Sequence, residues 1–411
     1  MSIMGELLAQ VTNQGVDVWH AGPVAAFVEE EVVSWLCDLV GYDAATSFGL
    51  LTSGGVMANF MAMTLARDLH LGKLRGTDGP PRGAGLEGAR VYTSDQTHFS
   101  IARALDELGF PRDTLVVLRA DDGFRLRGSV VAEAVRRDRA AGLTPFAIAA
   151  VAGSTNTGSV DAVGELADVA ADEDLWLHVD AAYGGAARLS ERDRDRVPDL
   201  DRADSVTVDP HKWFFQAYDI GGLLVRDRRA LLAVFGGRAP EYYRGGEAAA
   251  PPVDVAAPPV DEALVAHDDD GEQLNFYKLS FEGTRRWRAL KLWMTWKHLG
   301  TAGFGHLIEA NDDLAAHLAR RCAGADDFEA LPEVPALSVV CFRHVPPTLA
   351  DDAAALDAHQ DRLQAALEAD GDGWLTTTRL RGATWLRAGI VNYLSTEADI
   401  DRLLDTLRRL A

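Results

Sequence analysis

An α/β fold, with a mostly parallel central sheet flanked by helices and a smaller C-terminal α+β domain, is what this 411-residue sequence predicts. Three observations lead there. From residue 90 onward, short apolar runs alternate with amphipathic helical stretches. The runs are apolar at successive positions, as strands buried on both faces must be. After about residue 300 the alternation gives way to three strand-like runs and one closing helix.

Taken in order, "VEEEVVSWLCDLVGY" (Val28 to Tyr42) has helical periodicity and stops at Gly41. "VMANFMAMTLARDLHLG" (Val56 to Gly72) is a second helix, opened by "TSGG". The strand-like runs are then "RVYTS", "TLVVLR", "FAIAAVAG", "LWLHVDAA", "SVTVDPH" and "IGGLLVRD", with helices such as "SVVAEAVRRDRAAG" and "AVGELADVAADED" between them. Residues 246–273 are rich in Pro and Ala and then acidic, the pattern of a long exposed loop. "RRWRALKLWMTWKHLG" follows as a strong helix. The last third offers the strands "ALSVVCFRHV", "GWLTTTR" and "ATWLRAGIVNYL", and a helix "EADIDRLLDTLRRL" capped by Ser395 or Thr396. We therefore expect an N-terminal helical segment over 1–45, a large domain over 46–300 with a mobile loop at about 238–275, and a small domain over 301–411.

Composition narrows the function. With 40 Lys and Arg against 62 Asp and Glu, the net charge is −22, which argues against nucleic acid or an anionic membrane as the partner. No apolar run reaches membrane-spanning length, and the first residues lack a basic stretch followed by an apolar core. Three scattered cysteines, without CxxC or metal-ligand spacing, predict a reduced, cytoplasmic protein with no metal site. "HDDDGE" at 267–272 reads as a solvated acidic loop. Only five lysines occur, Lys73, Lys212, Lys278, Lys291 and Lys297, so one in an apolar setting stands out.

Lys212 is that one. In "SVTVDPHKWFF" it follows a strand and precedes Trp213, Phe214 and Phe215. In open parallel sheets ligands bind beyond the carboxyl ends of the strands. Thr155, Asp180, Asp209, His211 and Lys212 all follow such strands, and His98 lies just past "RVYTS". Gly54 and Gly55 open a helix, where free N–H groups and the helix dipole favour a phosphate. Singly, each residue has an ordinary reading: a snorkelling lysine, a strand-end cap, a loop histidine, a turn. Together they call for an anionic, electron-withdrawing cofactor that a lysine can hold covalently. Pyridoxal 5′-phosphate has the aldehyde, the phosphate and the pyridinium nitrogen that such a set requires. Desolvation among Trp213 and Phe214 would favour the neutral, nucleophilic amine.

"HVDAAYGGA", "VDPHKWFF", "YTSDQTHFS" and "TSGGVMAN" resemble the pyridoxal-phosphate group II amino-acid decarboxylases, the family of aromatic-L-amino-acid decarboxylase, over nearly the whole chain. The resemblance implies a fold-type-I homodimer. It implies that Lys212 is the Schiff-base lysine, Asp180 the partner of the ring nitrogen and His98 the histidine that stacks on the ring. It places Thr155 and Ala182 against the ring and its substituents, and Gly54, Gly55, Val56, Asp209 and His211 near the phosphate. Tyr242, with Tyr243 beside it, matches the loop tyrosine that returns a proton to the substrate carbon. The expected reaction is decarboxylation of an L-amino acid, aromatic in first preference, to the amine and carbon dioxide.

Two departures qualify that expectation. Val56 and Met57 stand where the family generally has a hydroxyl residue and then Glu or Gln, so one phosphate-binding hydroxyl is lost. Relatives also usually carry a further N-terminal helical arm, which this chain is expected to lack. The alternatives are oxidative decarboxylation–deamination to an aldehyde and a non-catalytic, regulatory paralogue. Retention of Lys212, Asp180, His98 and Tyr242 argues against both.

Overall fold

The computed structural model describes residues 1–77, 79–236 and 275–411. Its larger sheet has seven strands: β1 (Phe48–Thr52), β2 (Ala89–Ser94), β3 (Leu115–Leu118), β4 (Thr144–Val151), β5 (Trp176–Asp180), β6 (Ser205–Val208) and β7 (Gly221–Val225). The spatial order is β1-β7-β6-β5-β4-β2-β3, and only β7 runs against the rest. Helices α1 (Ser2–Thr12), α2 (Pro23–Val40), α3 (Gly55–Leu65), α4 (Gly72–Arg75), α5 (Ser100–Glu107), α6 (Gly128–Ala140), α7 (Val163–Asp172) and α8 (Arg229–Phe235) surround it. Strands β1, β2, β6 and β7 are buried at every position, which is why they read as continuous apolar runs.

Two strands of this sheet were not specified by the sequence reading, β7 in its direction and β1 in its existence. β7 is antiparallel because residues 209–220 hold only turns, too little chain for a right-handed crossover helix. β1 is a strand that the periodicity did not announce. It is five residues long, joined directly to the glycine turn, and paired only with β7.

Residues before 46 share the large core: Val32, Val33 and Leu36 of α2 are fully buried in it. A buried ion pair ties this region down. Arg285 donates to Glu29 of α2, to the Leu51 carbonyl of β1 and to the Val16 carbonyl, while Glu29 accepts from the Leu51 N–H.

The C-terminal part forms a second, antiparallel sheet in the order β10-β11-β9-β8: β8 (Phe328–Leu331), β9 (Val339–His344), β10 (Thr376–Leu380) and β11 (Ala383–Gly389). β8 was not among the expected strands; the other three were. Helix α9 (Ala289–Ala323) is longer than its sequence signal, which stopped at Gly300. That glycine breaks the helical path with φ 65 and ψ 172, and the helix resumes beyond it. The far half of α9 joins α10 (Ala353–Asp370) and α11 (Glu397–Leu410) around a separate core that includes Leu318, Phe342, Leu363 and Leu404. Thr396 caps α11 in a reciprocal box with Asp399, a device that contributes about 1 kcal/mol. All three cysteines are free and buried, and no helix among the described residues is long and apolar enough to cross a membrane.

Candidate active site

β5 and β6 end side by side, and their ends deliver the two acidic residues. Asp180 is the last residue of β5, and Asp209 follows β6. The turn after Asp209 is held by buried anchors. Trp213 is fully buried, donates from Nε1 to Asn311 Oδ1 at 3.0 Å, and stacks on Tyr183 with ring centroids 4.9 Å apart. Phe214 is equally buried. The aromatic cluster therefore points into the core and pins the turn, leaving the lysine side chain directed at a cavity. Lys212 is 37% exposed, and its Nζ sits 3.2 Å from Asp209 Oδ2. This corrects the expected desolvation: the amine is held by a carboxylate at an open edge, and the aromatic rings anchor the backbone instead of surrounding the charge.

The cavity measures about 360 Å³. Gly54, Gly55, Val56, His98, Asp180, Ala182, Asp209, His211 and Lys212 all line it, so nearly the whole expected set converges. Thr155 does not. It is exposed, is not among the residues lining the cavity, and its carbonyl accepts a hydrogen bond from Arg387 of β11. Tyr242, Tyr243 and the 246–273 segment lie outside the described residues. A larger hollow of about 620 Å³, walled by Trp35, Trp296 and Arg228, has no lysine in its lining, so size alone does not locate the chemistry.

Electrostatics mark the smaller cavity. Burial pushes the Asp209 carboxyl up to about 7; Lys212 opposes this and Asp180 adds to it. Burial lowers His98, against Asp180 and with Lys212 and Arg103. Burial lowers His211 as well, and its Nδ1 lies 2.6 Å from the Ile220 carbonyl. Asp180 is buried, with Oδ1 accepting from the Ala182 N–H at 3.1 Å and Oδ2 from Asn59 Nδ2 at 2.7 Å.

These residues fit pyridoxal phosphate. The helix N-terminus is bare of side chains: a Cβ on Gly55 would lie 2.8 Å from Asp209 Oδ2, and one on Gly221 would lie 2.5 Å from the Gly54 Cα. Gly54 has φ 155, a conformation that L side chains rarely adopt. Asp209 Oδ1 is buried and has no hydrogen-bond partner among the described residues. An amine, a strand-end carboxylate and a dipole-bearing helix start match the aldehyde, the ring nitrogen and the phosphate in turn.

Sequence reasoning missed Asn59, Ser100, His178 and Tyr218. Asn59 and Tyr218 line the cavity. His178 is fully buried, two residues before Asp180 on β5, and so shares its face. That spacing, inside "HVDAA", was the available signal. Burial pushes His178 down to about 4. The unfolded chain, with His near 6.5, then binds more protons than the folded one between those values. Stability from this group is complete above pH 6.5 and is lost as pH falls toward 4, by up to about 3 kcal/mol. Equilibrium unfolding across pH 7 to 4.5 should show that decline, and His178→Gln should remove this part of the slope.

Comparison with known proteins agrees with the geometry. The pyridoxal-dependent decarboxylase conserved domain matches residues 1–245 and 261–345. The chain is 34% identical over 411 residues to an aromatic-L-amino-acid decarboxylase of Bacillus atrophaeus, covering all of this chain and 78% of the relative. It is also 34% identical over 411 residues to an L-2,4-diaminobutyrate decarboxylase of Rhizobium meliloti, again over its whole length and 75% of the relative. Among solved structures, Oryza sativa TDC with PLP and tryptamine superposes with a TM-score of 0.86 at 27% identity, covering 100% of this chain and 80% of that one.

Proposed function

The chain belongs to the pyridoxal-dependent decarboxylases, and on that premise we propose that it converts an L-amino acid, aromatic in first preference, to its amine and carbon dioxide at the Lys212 cavity. It is a pyridoxal-phosphate-dependent carboxy-lyase of amino acids. The observation that carries the site assignment is the convergence of Lys212, Asp180 and His98 on one cavity beyond the strand ends. The aromatic preference is supported by the Bacillus relative and by the aromatic side chains of Phe99 and Tyr218 in the cavity lining. The equal identity to a diaminobutyrate decarboxylase makes substrate choice the point to test.

When bound, pyridoxal phosphate supplies an aldehyde for an amine and a ring that accepts the electron pair left by departing carbon dioxide. Lys212 would hold that aldehyde and give it up to the substrate amine. Asp180 would hold a proton at the ring nitrogen, which would make the ring a better electron acceptor. Gly54, Gly55 and His211 would hold the phosphate at the start of α3, and Ala182 and His98 would face the ring. Tyr242 returns the proton to Cα, as the resemblance implies. The homodimer belongs to the same proposal. It is supported by exposed Ile3, Leu7 and Val11, spaced along one face of α1.

A screen of common L-amino acids that measures carbon dioxide, amine and peroxide together tests this reading. Amine without peroxide, highest for an aromatic substrate, is the expected result. Peroxide with aldehyde would overturn decarboxylation as the outcome. No carbon dioxide from any substrate would leave a regulatory role.

Val56 gives a separate expectation. It is 38% exposed at the cavity and offers no hydroxyl to the phosphate. Val56→Ser should restore one hydrogen bond, about 1 kcal/mol, and tighten cofactor retention roughly fivefold. Equilibrium dialysis of pyridoxal phosphate against both proteins measures it.

A further inference from the structure

Behind the cavity lies a closed set of hydrogen bonds that joins four elements through one side chain. Asn59, on α3, is 1% exposed. Its Nδ2 donates to Asp180 Oδ2 at 2.7 Å and to Ser100 Oγ at 2.8 Å. Its Oδ1 accepts from Thr207 Oγ1 on β6 at 2.7 Å and from His178 Nε2 on β5 at 3.0 Å. His178 Nδ1 in turn lies 2.9 Å from Ser205 Oγ. Two donors and two acceptors are thus all used, which leaves one orientation for the amide.

That orientation has consequences on both branches. With its carbonyl toward His178, Asn59 requires a proton on His178 Nε2, so His178 Nδ1 accepts from the Ser205 hydroxyl. With its amide toward Ser100, it occupies one lone pair of Ser100 Oγ and leaves the Ser100 hydroxyl proton free for His98 Nδ1, 2.9 Å away. The Ser100 backbone N–H also donates to His98 Nδ1 at 3.3 Å. A nitrogen that receives two donors carries no proton of its own. Neutral His98 therefore has its proton on Nε2, the nitrogen Ser100 does not engage.

We propose that Asn59 is a positioning residue that sets two groups of the site at once: the direction of the Asp180 carboxylate and, through Ser100, the tautomer of His98. Asn59 also lines the cavity, and in this role it acts through Asp180 and Ser100. The inference rests on the pyridoxal-phosphate reading above. A buried, fully paired network is suited to this work, because its members cannot turn without leaving a polar atom unpaired in a dry interior.

Asn59→Asp is the informative variant. It keeps the shape and the acceptor toward His178 and Thr207, and replaces the donor toward Asp180 and Ser100 by an oxygen. Holoenzyme absorbance, the pH profile of kcat and the melting temperature would be measured together. The expected result is a shifted cofactor band, an acid limb moved to higher pH, and kcat lower by about 10- to 100-fold with KM within about threefold. Ser100→Ala, which cuts only the His98 branch, should keep the wild-type band and move the pH profile alone. A folded Asn59→Asp protein with wild-type band and profile would overturn the proposal. Should that variant not fold, an unchanged pH profile in Ser100→Ala would overturn it instead. Failure of the underlying reading looks different, because wild-type protein mixed with pyridoxal phosphate would then show no bound-cofactor band at all.

Discussion

Lys212→Ala is expected to abolish the bound-cofactor absorbance band and to lower carbon dioxide release by roughly 10⁴-fold or more, the scale for losing a group that forms the covalent link. No other lysine can substitute from within the cavity: Lys212 alone of the five lines it among the described residues. The fold should survive. Lys212 is partly exposed, its neighbours Trp213 and Phe214 keep the turn anchored, and Asp209, left without its cation, can take up a proton near pH 7. Loss of both band and activity with a preserved melting temperature would assign the effect to chemistry. A variant that retains the band would remove Lys212 from the role given to it here.

Asp180→Asn is expected to lower kcat by about 10²- to 10³-fold, equivalent to about 3–4 kcal/mol of transition-state stabilisation, with the cofactor still bound. The amide keeps the size of the carboxylate but not its charge. A neutral partner no longer favours a proton on the ring nitrogen, so electrons from the broken bond meet a weaker acceptor. Retention should be mild in its response, since Gly54, Gly55 and His211, the residues proposed to hold the phosphate, are untouched. Steady-state kinetics and dialysis on the same preparation separate these two effects. Equal kcat in the variant would show that the carboxylate charge plays no part.

The groups that carry charge to the strand ends were legible in the sequence; those that hold them were not. Asp180, Asp209 and Lys212 follow apolar runs, and polar residues at such places are conspicuous. Asn59 and Ser100 sit on helices whose other residues explain themselves by periodicity, so a single polar side chain there reads as a helix surface. His178 stood in the quoted "HVDAA" run, yet nothing in the run alone shows that its ring faces Asn59 across two layers. Thr155 was placed by its strand end in the same way as Asp180, but its loop turns toward β11 and leaves the cavity. The aromatic residues after Lys212 were noticed for the right reason and assigned the wrong task, because sequence shows adjacency and not direction. Among the strands, β1 and β8 were not read from the sequence, although both are as short as strands that were. The reversed sense of β7 followed from the short, helix-free link before it.

The most direct measurement is borohydride reduction of the pyridoxal-phosphate-loaded protein, which makes the lysine–cofactor link permanent, followed by peptide mass mapping. With five lysines in the chain, the assignment is unambiguous. If Lys212 holds the cofactor, the pyridoxyl mass falls on the peptide that contains Lys212 and on no other. The same mass on a peptide with Lys73, Lys278, Lys291 or Lys297, or on none, would contradict it.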